Sequence, residues 1–392
     1  LRRGITNVMY TEDGYYGGGI PLRYDQTYYY VKASGNDGNP GTRDLPFKTL
    51  AKAVQTARYK TSTTAPWIKT IVVLGDLNWD SEKTQSDSDY KEINSVFVIP
   101  NAPSGVQEPD LIRITGDDPA TPAIESAQLA GESGKRVLFI DGNKSKVQLA
   151  HIELYGGNAD WGAGIRLENG ARLTITEGTV IRDNTNTQSG GGVWIEDAVL
   201  QMTGGEIRNN YCIHDGNNGT GGGVYLSGTG QSVFQMFGGT IRDNRAKRSA
   251  GVVVNSGTFR MFNGSIRDNI IFAGNTGWAG GVGVSEGATF IMSGGAITGN
   301  VYNAGNNSGR GGGVRVRGEF WMTGPAQISG NFSKNYGGGV FVDGGGAFYL
   351  DTSEGASITG NTANGSGSQV YNNGEFKLNG APKPIGPFES IP

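Results

Sequence analysis

A single cysteine, Cys212, and two histidines, His151 and His214, stand in a chain of 392 residues. One thiol cannot build an internal disulfide framework, and so few thiols and imidazoles leave no zinc constellation. No apolar run approaches the length of a membrane-crossing helix. Acidic and basic residues are interspersed to a net charge of −3, so no field of one sign would draw nucleic acid and no polybasic run points to a membrane surface. The chain opens at Leu1 with neither an initiator Met nor a signal peptide, and reads as a mature or trimmed form. Long helical periodicity is missing too. Apolar runs of about three to five residues with period two are too short for the amphipathic helices of helical repeat proteins.

Glycine is abundant, at 67 residues, and it falls in a repeat. A Gly-Val or Gly-Ile step recurs at Gly164-Ile165, Gly192-Val193, Gly223-Val224, Gly251-Val252, Gly281-Val282, Gly313-Val314 and Gly339-Val340, with Val370 as a degenerate eighth. The spacing of 26 to 32 residues signals a solenoid, propeller or array. A second column ends in Met202, Met236, Met261, Met292 and Met322, five of the six methionines, mostly with Phe two positions earlier. A third column reads Ile-x-x-Asn, ending at Asn184, Asn210, Asn244, Asn269, Asn300, Asn331 and Asn361. A propeller blade needs about 40 residues and a fourth strand. Three short strands per repeat instead describe one turn of an all-β, single-stranded, right-handed parallel β-helix, in which like side chains queue along the axis. Asn is expected at a left-handed corner, bonding the Asn of neighbouring coils.

Length alone suggests two or three globular domains, but a solenoid grows along one axis without thickening its core. The expected organisation is an arm over residues 1–27, a capping helix and irregular first coils over 28–160, regular coils over 161–380, and a tail over 381–392 in which Pro382, Pro384, Pro387 and Pro392 stop the ladder. Residues 46–58 read as an amphipathic helix with Phe47, Leu50, Val54 and Ala57 on one face, placed to cover the open end of the stack. The acidic, Ser-rich insertion 78–94 reads as a surface loop.

Two groups of residues carry a family resemblance. Residues 30–42, with Pro46-Phe47-Lys48-Thr49-Leu50, resemble the opening module of secreted bacterial β-helix proteins of the pectin-lyase-like superfamily. The repeats, such as Ile328-Ser329-Gly330-Asn331 followed by Gly337-Gly338-Gly339-Val340, are similar to the paired motifs of polymorphic outer-membrane and related surface proteins, with Ile where those favour Phe. This likeness implies a β-helix fold and an extracellular or cell-surface address. It leaves function open, because the fold hosts lyases, hydrolases, esterases and adhesins.

Counting outward positions from each Gly-Val step places Arg166, Trp194 and Tyr225 on one line and Glu168 and Glu196 on the next. If the strands pair in register, the two carboxylates stand one rung apart, about 5 Å, close to the separation in a retaining glycosidase, where one pKa is raised. Trp194 and Tyr225 would stack on a sugar ring, with Arg166 for an acidic substituent. A second set, Trp161, His214, Asp215, Trp278 and Arg310, with Tyr211, Phe272, Tyr302 and Tyr336, falls in the loops before Gly-Gly-Val, along one edge. The column Arg182, Arg208, Arg242 and Arg267 has the form of a polyanion track, but Asp183, Asp243 and Asp268 follow directly, and pairing within the corner explains it more simply. No cofactor is expected. Asp and Asn corners supply the oxygen ligands calcium takes, yet neither an EF-hand loop nor the nonapeptide repeat occurs, and no metal site is assigned. Two functions stay open: a secreted or surface-exposed β-helix with an adhesin-like, glycan-binding or structural role, its partner a polysaccharide or a host or cell-surface ligand, and a polysaccharide lyase or glycoside hydrolase working through Glu168 and Glu196.

Overall fold

The computed structural model describes residues 28–58, 68–83, 94–102, 109, 111–117, 127–213, 219–272, 278–303 and 309–379. The expected arm 1–27, the tail 381–392, most of the 78–94 insertion, and His214 with Asp215 lie wholly or partly outside them. The described chain is a parallel β-helix. Every strand pairs in parallel with its counterpart one coil away, giving sheets of twelve, ten, ten and eight strands. Three of these are the expected columns: the Gly-Gly-Val sheet, the Phe-x-Met sheet and the Ile sheet. The fourth is an addition, a short sheet after the Asn corner whose later strands have two residues each, such as Thr362–Ala363.

The columns close the bore. Met202, Met236, Met261, Met292 and Met322 pair in register and are fully buried. Phe234, Phe259, Phe290, Phe320 and Phe348 stack face to face with ring centroids 4.6 to 4.8 Å apart, the spacing that parallel strands impose. Leu and Val of the Gly-Gly-Val sheet and Ile181 to Ile328 of the Ile sheet fill the remaining walls.

The asparagine column is a buried ladder. Oδ1 of Asn269 accepts from the backbone N–H of Asn244 (3.0 Å) and from its Nδ2 (3.0 Å), and Nδ2 of Asn269 donates to Ile241 O (3.1 Å) and to Asn300 Oδ1 (2.9 Å). The same pattern runs from Asn184 to Asn361. The left-handed corner lies one residue earlier than expected: Asp183, Asn209, Asp243 and Asp268 have φ of 53 to 56°, and Gly299, Gly330 and Gly360 follow in the later coils. An amide buried this deeply must satisfy donors and acceptors on both neighbouring coils, whereas the exposed corner needs only a residue that tolerates positive φ.

Glycine before Val is required by the neighbouring backbone. A Cβ on Gly223 would lie 2.6 Å from Gly251 O in the next coil, and one on Gly339 would lie 2.5 Å from Gln369 O. At Gln369 the requirement lapses, since no described coil lies over it. There Oε1 accepts from Asn361 N–H (3.3 Å) and Nδ2 (2.9 Å), closing the ladder that the missing next Asn would have continued.

At the other end, helix α1 (Leu50–Arg58) packs on the strands Tyr28–Val31, Ile68–Val73 and Ser95–Ile99. It begins later than 46, because Phe47 exchanges backbone hydrogen bonds with Tyr30 and Lys32. Thr49 caps it through Lys52 N–H (3.0 Å), while Asp37 accepts from the N–H groups of Lys48 and Thr49 (both 2.9 Å). The insertion is only partly a surface loop. A capping box between Asn78 and Ser81 starts helix α2 (Trp79–Glu82), and it delivers Glu82 to the N-terminus of α1, where the carboxyl accepts from Leu50 N–H (2.7 Å) and Ala51 N–H (3.4 Å). Burial pushes the Glu82 pKa up to about 8, opposed by those two backbone donors.

Candidate functional site

The outer face of the Gly-Gly-Val sheet carries the side chains with chemistry. Ile165–Glu168 and Val193–Glu196 pair so that Arg166 faces Trp194 and Glu168 faces Glu196, and the next strand sets Tyr225 beside Trp194. The carboxylates therefore stand on adjacent rungs. Both are held by one cation: Arg166 contacts Glu168 closely and lies 3.7 Å from Glu196 Oε2. Burial raises the Glu168 pKa, the Arg166 guanidinium opposes that rise, and the neighbouring Glu196 carboxyl adds to it. Glu196 also accepts from Trp194 Nε1 at 3.3 Å.

The aromatic side chains are layered. Trp194 is only 8% exposed, since Tyr225 stacks on it at 4.7 Å and 8° and Trp161 leans over it at 6.1 Å and 54°. The ring presented to solvent is therefore Trp161, 40% exposed. It sits at the end of the strand Asn158–Trp161 in the short sheet, followed by Gly162 with φ 62°, which turns the chain back onto the Gly-Gly-Val face. Tyr302, expected on the loop edge, is fully buried in a small second core with Cys212, Ala246, Ala250 and Ile271. Phe272 and Tyr211 pack on each other at 5.2 Å, and Tyr336 on Tyr371 at 4.9 Å.

Farther along the same face, Trp278 and Arg310 meet residues that sequence reasoning passed over. The outward position is Gly283, whose missing side chain makes room for Trp278; a Cβ there would lie 3.5 Å from Trp278 Cε3 and 2.9 Å from Ser249 Oγ. Around the Trp278 ring lie the guanidiniums of Arg317 (5.1 Å), Arg248 (5.6 Å) and Arg315 (5.7 Å). On the next rung Asp343 accepts from Arg315 twice, at 2.6 and 3.0 Å, and pairs with Arg310 at 3.3 Å and Arg317 at 3.4 Å. Three guanidiniums thus converge on one carboxylate, and burial together with Arg315 and Arg317 pulls the Arg248 pKa below its ordinary value. The legible signal was Arg-x-Arg at 315–317 on an outward-facing strand, one rung beyond Gly283.

The other arginine column is neutralised at its corners. Arg182, Arg242 and Arg267 pair with Asp183, Asp243 and Asp268 at 2.6 to 2.7 Å, and Glu153 and Glu206 bind Arg182, Arg208 and Arg242 from the flanking position of the Ile sheet. Among the described residues no three His, Cys, Asp or Glu side chains gather as a metal site requires, and no helix is long and apolar enough to cross a membrane. No family model, curated protein or solved structure matches the chain.

Proposed function

We propose that this is a secreted or surface-exposed β-helix protein that binds an extended glycan or cell-surface ligand on the outer face of the Gly-Gly-Val sheet. The observation that carries the reading is the exposed Trp161 ring, backed by the buried Trp194, on which Tyr225 stacks, with Arg166, Glu168 and Glu196 on the same rungs. A supported, preorganised aromatic face beside fixed polar groups suits a sugar ring. The regularity of the coils favours a scaffold that displays such a surface. The likeness to surface β-helix proteins in the repeats points the same way. A glycan array followed by titration of the best binder tests this. Trp161→Ala should weaken binding about tenfold, the scale of one lost stacking contact, with an unchanged circular dichroism spectrum. Wild-type protein that binds no glycan, or a variant that binds as well as wild type, would refute it.

The raised pKa of Glu168 favours a second reading, in which Glu168 acts as the general acid of glycan cleavage. It requires a reducing-sugar or ultraviolet-absorbing product from a pectin, alginate, xylan or glycosaminoglycan screen, lost in Glu168→Gln. The shared Arg166 favours the binding reading instead, because one cation already pairs with both carboxyls.

A further inference from the structure

We infer that Arg310 and Arg317, beside Trp278 and the Arg315–Asp343 pair, form a recognition site for an oxyanion carried on a polymer, either a sulfate ester or a uronate carboxylate. The inference rests on this face being a binding surface but on other residues than Trp161 and the Glu168–Glu196 pair; Arg315 stands five rungs from Arg166.

The division of labour follows from burial. Arg315 is 5% exposed and held by the two-pronged contact with Asp343, itself 7% exposed, so this pair is a fixed base. Arg310 and Arg317 share the same carboxylate at longer range, and their side chains are 41% and 44% exposed. Asp343, engaged twice by Arg315, is the one carboxylate that Arg310 and Arg317 meet among the described residues, and their charge is presented to solvent. A planar guanidinium gives paired N–H donors to a sulfate or carboxylate in the geometry it already uses with Asp343. Trp278 and Phe341, over which Arg310 stands at 5.3 Å, form an apolar floor that limits competing water and orients the arginine planes. The whole chain is acidic, at −3, so this arginine cluster is a local reversal of charge, which suits a ligand recognised at one place and not a general attraction to polyanions.

The test titrates wild type, the double variant Arg310→Ala/Arg317→Ala, and Trp161→Ala with dextran sulfate, polygalacturonate and uncharged dextran, at low and physiological salt. Both arginines are part-exposed, and a thermal melt confirms that the fold is kept. Wild type should bind one or both anionic polymers and not dextran, and the comparison between the two assigns sulfate or carboxylate. The double variant should bind at least about tenfold more weakly and lose part of the salt dependence, while Trp161→Ala, whatever affinity it loses, should keep the salt dependence of wild type. Retention of neither anionic polymer, equal binding of dextran, or a double variant indistinguishable from wild type would overturn the inference. Loss of anionic binding in the double variant, with Trp161→Ala silent on every glycan, would remove the Trp161 ledge and leave this site standing.

Discussion

Replacing Asn269 with alanine should be among the most damaging single changes in the coil stack. Its Oδ1 is the acceptor for two buried donors of Asn244, the backbone N–H and Nδ2, and its own Nδ2 serves Ile241 O and Asn300 Oδ1. Alanine leaves the two Asn244 donors unsatisfied where water does not reach, at about 1–3 kcal/mol each, or about 2–6 kcal/mol in all. Gln369→Ala is the internal comparison. It removes the same two kinds of bond from Asn361, but at a part-exposed last rung, where solvent replaces them and the cost should stay below about 1 kcal/mol. Asn269→Asp separates hydrogen bonding from shape: it keeps the acceptor for Asn244 but turns an oxygen toward Ile241 O and Asn300 Oδ1, and it should also destabilise strongly. Urea unfolding followed by circular dichroism measures all three. If Asn269→Ala costs no more than Gln369→Ala, the ladder is not a principal source of cohesion between coils and the reasoning fails.

Phe290→Ala opens a gap in a stack contacted on both sides, at 4.8 and 4.7 Å, and should cost about 3–5 kcal/mol by the same measurement; Phe376→Ala, on a ring 38% exposed at the last rung, should cost clearly less. Stability should also depend on pH through Glu82. Its folded pKa of about 8 stands above the ordinary 4.5, so the stabilisation is complete below pH 4.5 and is lost as pH rises through 8. The limiting slope is about 1.4 kcal/mol per pH unit for one proton. Melting temperatures recorded from pH 5 to 8 should fall for wild type and flatten in Glu82→Gln; a wild-type profile equally flat would show that the carboxyl is ionised where it caps α1.

The columns were legible because a repeating coil states each constraint many times. Methionine at 202, 236, 261, 292 and 322 and glycine before each Val could be aligned without coordinates, and counting from Val placed Glu168 beside Glu196 correctly. The physical role of the asparagines was only half legible. Both Asp268 and Asn269 are polar and suit corners, and only the close approach of three coils decides which takes positive φ and which is buried. The fourth sheet escaped notice because two-residue strands such as Tyr211–Cys212 have no period to detect. Helix α2 escaped because its Ser, Asp and Glu give a loop-like composition, and the significance of Glu82 depends on a contact 32 residues away. At the site, alternation predicts that Trp194 points outward but not that Trp161 folds over it. The convergence of Arg310, Arg315 and Arg317 on Asp343 was hidden for a similar reason, since it joins a loop and two rungs.

Because every coil advances the chain by one strand spacing, the sheet face is a ruler. Arg166 and Arg315 are separated by five such steps, about 24 Å at about 4.8 Å each. If both ends bind as proposed, a mono- or disaccharide would reach only one of them, and a chain long enough to bridge the interval would gain from both at once, through the raised local concentration of its second contact. Inserting or deleting one whole coil would then move this threshold by a single increment without altering either end.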